Sequence, residues 1–267
     1  ELFPREKEKT FTSLFCAAVD NPDLSYNLFQ CYAKLPTTSQ ATTASIIANE
    51  FVILANSPMI KQLSTSTQWF LDSTFQIAPK GFKQILNIIV FIPHLKLFFP
   101  AAYIFMTNKS ESLYHKSLQM LKYIAADLNL ELKPTFLMMD FEDAMRNAAK
   151  KAFPGVTLGG CYFHYVKCLY DRMAKLGLRR KIFKKKACLL ISFIQIMAHC
   201  PSNKRRQFFE EITTAYKDED NRFEEFLNYY QRNWLEDPFL DNFYEAVVGS
   251  NETEFIRTDN PCEQFHN

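Results

Sequence analysis

Glycine is scarce in this chain, six residues in 267, with none in the first sixty. That excludes collagen-like and glycine-linker architectures and suits packed helices and strands better than a loop-rich scaffold. The seven cysteines (Cys16, Cys31, Cys161, Cys168, Cys188, Cys200, Cys262) contain no C-x-x-C pair. An odd, scattered set reads as reduced thiols in an intracellular compartment rather than a disulfide framework. Charge of either sign is not in excess: 31 Lys and Arg face 29 Asp and Glu, a net +2. No overall field would steer nucleic acid, so any such contact has to come from local patches. There is no signal-peptide pattern, and the chain begins at Glu1 without a methionine. It therefore reads as a fragment, with an end behind Glu263, His266 and Asn267 that looks cut. An uninterrupted membrane-length run is also lacking. The apolar stretch 85–106 is broken by Pro93, His94, Lys96 and Pro100, and two buried strands explain it better than a membrane span.

What is present is apolar and aromatic: 48% hydrophobic residues and 26 phenylalanines, enough for a sizeable core. Residues 1–60 read as a mainly helical N-terminal region, with breaks at Pro22 and Pro36-Thr37-Thr38-Ser39. Glu50–Leu54 fits a strand or a short helix equally well. From Gln68 the character changes. Trp69–Ile77 reads as a strand ending at Pro79-Lys80-Gly81, and Ile85–Ile92 and Leu97–Met106 give two more, an antiparallel meander. Ser110 is a candidate N-cap with Glu111 in the first turn, and Tyr114, Leu118, Leu121, Ala125 and Leu128 share one helical stripe. A short strand, Pro134–Met139, ends on Asp140. Helix Glu142–Ala152, strand Val156–Tyr162 and helix Phe163–Leu176, stopped by Gly177, follow.

Three strands, helix, strand, helix, strand, helix is the element order of an RNase H-like α/β fold. Its mixed sheet has three antiparallel strands, then two crossover strands, flanked by helices. The expected organisation is a core over 61–177, an all-α insertion over 178–250 before the last catalytic helix, and a return to the core over 251–267.

Asp72 lies mid-strand among apolar neighbours, where a carboxylate costs free energy unless it is paired or binds metal. Asp140 ends the fourth strand, which in this topology runs beside the first. Two acids on adjacent strands can ligate one cation, and hard oxygen ligands select Mg²⁺ or Mn²⁺. Two ions about 3.5–4 Å apart suit phosphoryl transfer, and that chemistry calls for a third acid from the helix after the insertion. An RNase H-fold exonuclease would need a D-x-E on the first strand; Asp72-Ser73-Thr74 lacks the second acid.

Four blocks then carry a resemblance. Trp69-Phe70-Leu71-Asp72-Ser73-Thr74-Phe75 resembles the "W-F-x-D-G-T-F" block of Mutator-like (MULE) transposases, and Met139-Asp140-Phe141-Glu142-Asp143-Ala144 resembles their "D-F-E-x-A". Gly160-Cys161-Tyr162-Phe163-His164, followed by Gly177-Leu178, is similar to "G-C-x-F-H" and the later "G-L". Arg257-Thr258-Asp259-Asn260-Pro261-Cys262-Glu263-Gln264-Phe265-His266 resembles "R-T-N-N-x-x-E-x-x-H". Ser73 stands where the family has Gly, and Asp259 where it has the first Asn. The resemblance implies a DDE transposase with an RNase H-like core, catalytic and metal-ligating Asp72, Asp140 and Glu263, and Mg²⁺ or Mn²⁺, two ions, as cofactor. It also implies DNA partners (terminal repeats and target), room for a homo-oligomer, no membrane, and a nuclear location. The rival from another class is a transposon-derived DNA-binding or regulatory protein without catalysis.

Three further features stay open. Glu142 starts a helix, where a carboxylate favours the N-terminal dipole; an auxiliary metal or positioning role is the alternative. Cys161 and His164 form the family's C-x-x-H. They read as a buried thiol and a histidine that handles a proton or positions DNA, or as half of a zinc site completed by Cys262 and His266. Arg179, Arg180, Lys181, Lys184, Lys185 and Lys186 make one dense basic run at the start of the insertion. It serves DNA phosphates, a nuclear address, or simply a solvated helix face.

Overall fold

The computed structural model describes residues 29–34, 49–75, 77–95 and 97–241. Seven strands form one mixed sheet: β1 (Phe29–Lys34), β2 (Glu50–Leu54), β3 (Gln68–Thr74), β4 (Gln84–Ile92), β5 (Leu97–Met106), β6 (Phe136–Met139) and β7 (Thr157–Gly160). Their spatial order is β1-β2-β5-β4-β3-β6-β7. The meander β3-β4-β5 is antiparallel, and β6 lies parallel to β3, so the expected three-plus-two arrangement is present. This order is compatible with an RNase H-like fold.

The sheet is wider than that expectation. β1 pairs antiparallel with β2, and β2 with β5, so residues assigned to a mainly helical N-terminal region contribute two strands. In β2 the buried triplet Phe51-Val52-Ile53 is covered on both faces, which erases the alternation that would have marked a strand. β1, FQCYAK, mixes polar and small residues and gives no strong signal of either period. β3 is shorter than its apolar run, because pairing with β4 stops at Thr74↔Ile85 and leaves Phe75 and Ile77 exposed. β5 keeps Pro100 inside a strand. β2 pairs only with its far half, Tyr103–Met106, and the β4 register shifts at Ile88/Ile89, opposite Pro100. A proline without its N–H is tolerated at such a bulge with an open side.

Among the described residues, three helices belong to the sheet unit. α1 (Ser57–Thr65) starts at Asn56, whose Oδ1 accepts from Met59 N at 3.0 Å, and buries Met59, Ile60 and Leu63. α2 (Glu111–Asp127) starts as expected at Ser110, whose Oγ accepts from Leu113 N at 3.3 Å. Its inner stripe is Leu113, Tyr114, Ser117, Leu118, Leu121 and Ala125. α3 (Asp143–Ala152) buries Met145, Ala148, Ala149 and Ala152, small residues that permit close packing on α2. Trp69 and Phe153 meet edge to face at 5.2 Å.

Contacts divide the chain between Leu158 and Gly159. The second unit is helical: α4 (Tyr162–Lys175), α5 (Lys184–Met197), α6 (Ser202–Ala215) and α7 (Asn221–Asn233). α4, expected within a core ending at residue 177, groups with the insertion helices. Its Tyr165 explains this, with its hydroxyl 3.3 Å from Ile194 O and 3.2 Å from the Tyr230 hydroxyl, and its ring edge on Trp234 at 5.1 Å. Buried Arg205 holds Asp241 at 2.9 Å beside this cluster of aromatic residues. α4 ends as expected at Gly177 (φ +71), where Leu178 N donates to Met173 O and Gly177 N to Ala174 O, both at 3.0 Å. No described helix is long and apolar enough to cross a membrane.

Candidate active site

The site grows from the parallel ladder between β3 and β6. Gln68↔Phe136, Trp69↔Leu137, Phe70↔Met138 and Leu71↔Met139 are paired in register. The residue after each member of the last pair is an aspartate: Asp72 within β3, and Asp140 directly past the end of β6. On its other side Asp72 is opposite Asn87 of β4, and Asn87 is opposite Tyr103 of β5. Directly opposed residues share a face. One transverse row therefore carries Asp72, Asn87 and Tyr103, with Asp140 just past the end of the neighbouring strand β6.

Burial differs among these residues. Asp72 is 3% exposed and Asn87 likewise, while Asp140 stands half-buried at the strand end. Asp140 is held locally: its Oδ1 accepts from Glu142 N at 3.0 Å, which closes the turn into α3.

Glu142 stands at the helix start where it was expected, and its side chain reaches further than the helix. It is the N-cap residue of α3, yet its side chain makes no capping bond. Its Oε2 instead accepts from the Tyr114 hydroxyl at 3.3 Å and lies 3.5 Å from Lys109 Nζ. Tyr114 in turn accepts from Gln84 Nε2 at 2.6 Å. Burial raises the Glu142 carboxyl above the usual glutamate range, the nearby Asp140 charge adds to this, and Lys109 and Tyr114 oppose it. The Tyr114 phenol is raised too, by burial first and then by Glu142 and Asp140. A hydrogen-bonded line Gln84–Tyr114–Glu142, flanked by Lys109, thus stands behind the turn that holds Asp140.

Lys109, Gln84 and the Tyr114 hydroxyl were not anticipated. Tyr114 was visible only as one member of an apolar stripe. A glutamine opening the apolar run of β4 is the one sequence signal that pointed here, since a buried amide has to find a partner.

Glu263 lies outside the described residues, as do Cys262 and His266. Among the described residues no three His, Cys, Asp or Glu side chains gather closely enough to hold a metal ion. Cys161 is buried at the N-cap of α4 and is not in a disulfide. His164, in the first turn of α4, is half-buried with its ring edge against Phe163 at 5.7 Å. Both belong to the helical unit. Arg179, Arg180, Lys181, Lys184, Lys185 and Lys186 are exposed, and Lys186 pairs with Glu219.

The stretch from the start of β3 into α4, residues 68–168, matches the family model of the MULE transposase domain. Those residues, 101 of the chain's 267, are similar to the MULE transposase domain. The general kind of core for that domain is the DDE, RNase H-like one, and the match makes the function transposase-related. It encloses Asp72, Asp140, Glu142, Cys161 and His164 and stops short of the basic run. No curated protein matches the chain.

Proposed function

We propose that the MULE domain is the catalytic core of a DNA transposase, with Asp72, Asp140 and Glu263 as its D-D-E triad. The observation that carries this reading is the parallel register of β3 and β6, in which Leu71 pairs with Met139 and an aspartate follows each, Asp72 within β3 and Asp140 just past β6. A bound cation would offset part of the cost of a carboxylate as buried as Asp72. The donors are all carboxylate oxygens, which fits Mg²⁺ or Mn²⁺ and disfavours a thiol-loving metal. When bound, a pair of such ions would sharpen the attacking oxygen and steady the leaving one.

The chain's own residues would do the holding. Asp72 is fixed by the sheet, and Asp140 by the backbone N–H of Glu142. The buried line behind that turn, Tyr114 with Gln84 and Glu142 with Lys109, limits its movement. Glu263 would complete the set from the last family block. Terminal repeats and target DNA are the substrates on this reading, cleavage precedes strand transfer by a DNA 3′-hydroxyl, and the work is done in the nucleus, with room for a homo-oligomer.

The test is Mg²⁺- or Mn²⁺-dependent cleavage of DNA carrying the terminal repeats that flank the coding region. A protein that binds this DNA but never cuts it, with or without metal, is instead a retained DNA-binding factor.

A further inference from the structure

The basic run at residues 179–186 reads in sequence as one patch of six cations. The helical unit divides it. Lys186 is taken up by Glu219 of the α6–α7 turn, and its carbonyl accepts from the Tyr216 hydroxyl at 2.9 Å. Arg179 and Arg180 line an open cavity of about 660 Å³ at the end of α4, together with Lys175, Gly177 and Arg222. Arg222 comes from the first turn of α7, more than forty residues away in the chain. None of the described residues lining this cavity is acidic.

Lys175, Arg179 and Arg180 have a simple structural use, since cations complement the negative C-terminal end of α4. Arg222 has no such excuse. It stands at the positive N-terminal end of α7, where a cation opposes the helix dipole. Its guanidinium is nevertheless fixed there, Nε 3.1 Å from Asp220 Oδ1 and the group 4.6 Å over the Phe183 ring. A Cβ at Gly177 would be in ordinary contact with Arg180 Nε at 3.4 Å, so it is the left-handed backbone (φ +71) that favours glycine at this helix end. Arg222 is balanced by Asp220, but Lys175, Arg179 and Arg180 bring three more cations to the same concavity, and an anion placed there would offset their repulsion. Arginine forks match phosphate oxygens in particular.

We propose that Lys175, Arg179, Arg180 and Arg222 form a phosphodiester-binding site for DNA backbone in the helical unit, distinct from the acid pair. The site contains one residue that the basic run does not, Arg222, and excludes Lys186. It rests on the transposase reading for the identity of the polymer.

The experiment is a salt titration of the binding of a fluorescent DNA duplex by the full chain, in EDTA so that no cleavage intervenes. Each phosphate contact contributes about 0.9 to the slope of log affinity against log salt. Arg179→Gln/Arg180→Gln/Arg222→Gln should lower the slope by about 2 to 3, and affinity at low salt at least about tenfold. Lys185→Gln/Lys186→Gln should lose at most a small fraction of that. Arg222 also touches Phe183, so Arg179→Gln/Arg180→Gln, expected to lower the slope by about 2, serves if the triple variant melts early. An unchanged slope in the arginine variants, or an equal loss in the lysine variant, overturns the site while leaving the transposase reading intact. Displacement of the duplex by micromolar pyrophosphate at constant ionic strength would make it a small-anion site and overturn the DNA assignment. A wild-type chain that binds no duplex at all overturns both.

Discussion

The Tyr114 hydroxyl donates to Glu142 Oε2 at 3.3 Å, joining α2 to the turn that leads from β6 into α3. The same oxygen accepts from Gln84 of β4, so one phenol ties sheet, helix and candidate active-site turn together.

Tyr114→Phe removes both bonds while keeping the ring. It leaves the Gln84 amide and a partly buried carboxylate short of a partner, and should destabilise the fold by about 1–3 kcal/mol. Combined with Glu142→Gln in a double-mutant cycle, the coupling should reach roughly 0.5–3 kcal/mol by urea unfolding. Additive effects would mean that the bond contributes nothing.

Asp72→Asn separates metal binding from folding. In EDTA the amide should melt no lower than wild type, because a buried charge is removed. Added Mn²⁺ should raise the melting temperature of wild type and leave that of the variant unmoved. Equal Mn²⁺ shifts in both would place the cation elsewhere.

In the helical unit the pH dependence comes from tyrosines. Burial raises the Tyr165 phenol well above its ordinary value of 10.0 and pushes Tyr230 up to about 12. The folded state therefore keeps protons that the unfolded chain releases near pH 10. Stability from this source is complete below pH 10 and is lost as pH rises through 10 towards 12 and beyond. Tyr165→Phe should flatten the fall in unfolding free energy between pH 10 and 12, measured by denaturant titration at each pH; an unchanged fall would contradict this.

Gly177→Ala forces a side chain into a left-handed backbone (φ +71). The expected loss is about 1–2 kcal/mol in urea unfolding. A variant as stable as wild type would mean that the end of α4 has another conformation open to it.

Much of the sheet could be read from residue order. The β3-β4-β5 meander and the short β6 ending on Asp140 announced themselves through apolar runs bounded by Pro, Gly and polar breaks. The pairing of β3 with β6 followed from topology rather than from any single residue. β1 and β2 were hidden for opposite reasons, one too polar and the other buried on both faces. The place of Glu142 at a helix start was legible, but rules about helix ends describe the local chain and could not show its partners Tyr114 and Lys109, 28 and 33 residues away. The basic run misled in the same way: six adjacent cations look equivalent until Glu219 and Arg222 are folded against them.

The central claim is that Asp72 and Asp140 serve phosphoryl transfer. Its most direct measurement is Mn²⁺-dependent cleavage of terminal-repeat DNA by wild type and by Asp140→Asn, with DNA binding in EDTA recorded alongside. The account predicts that the variant binds DNA within about twofold of wild type and loses cleavage by a factor of at least about 10². Undiminished cleavage by Asp140→Asn would contradict it.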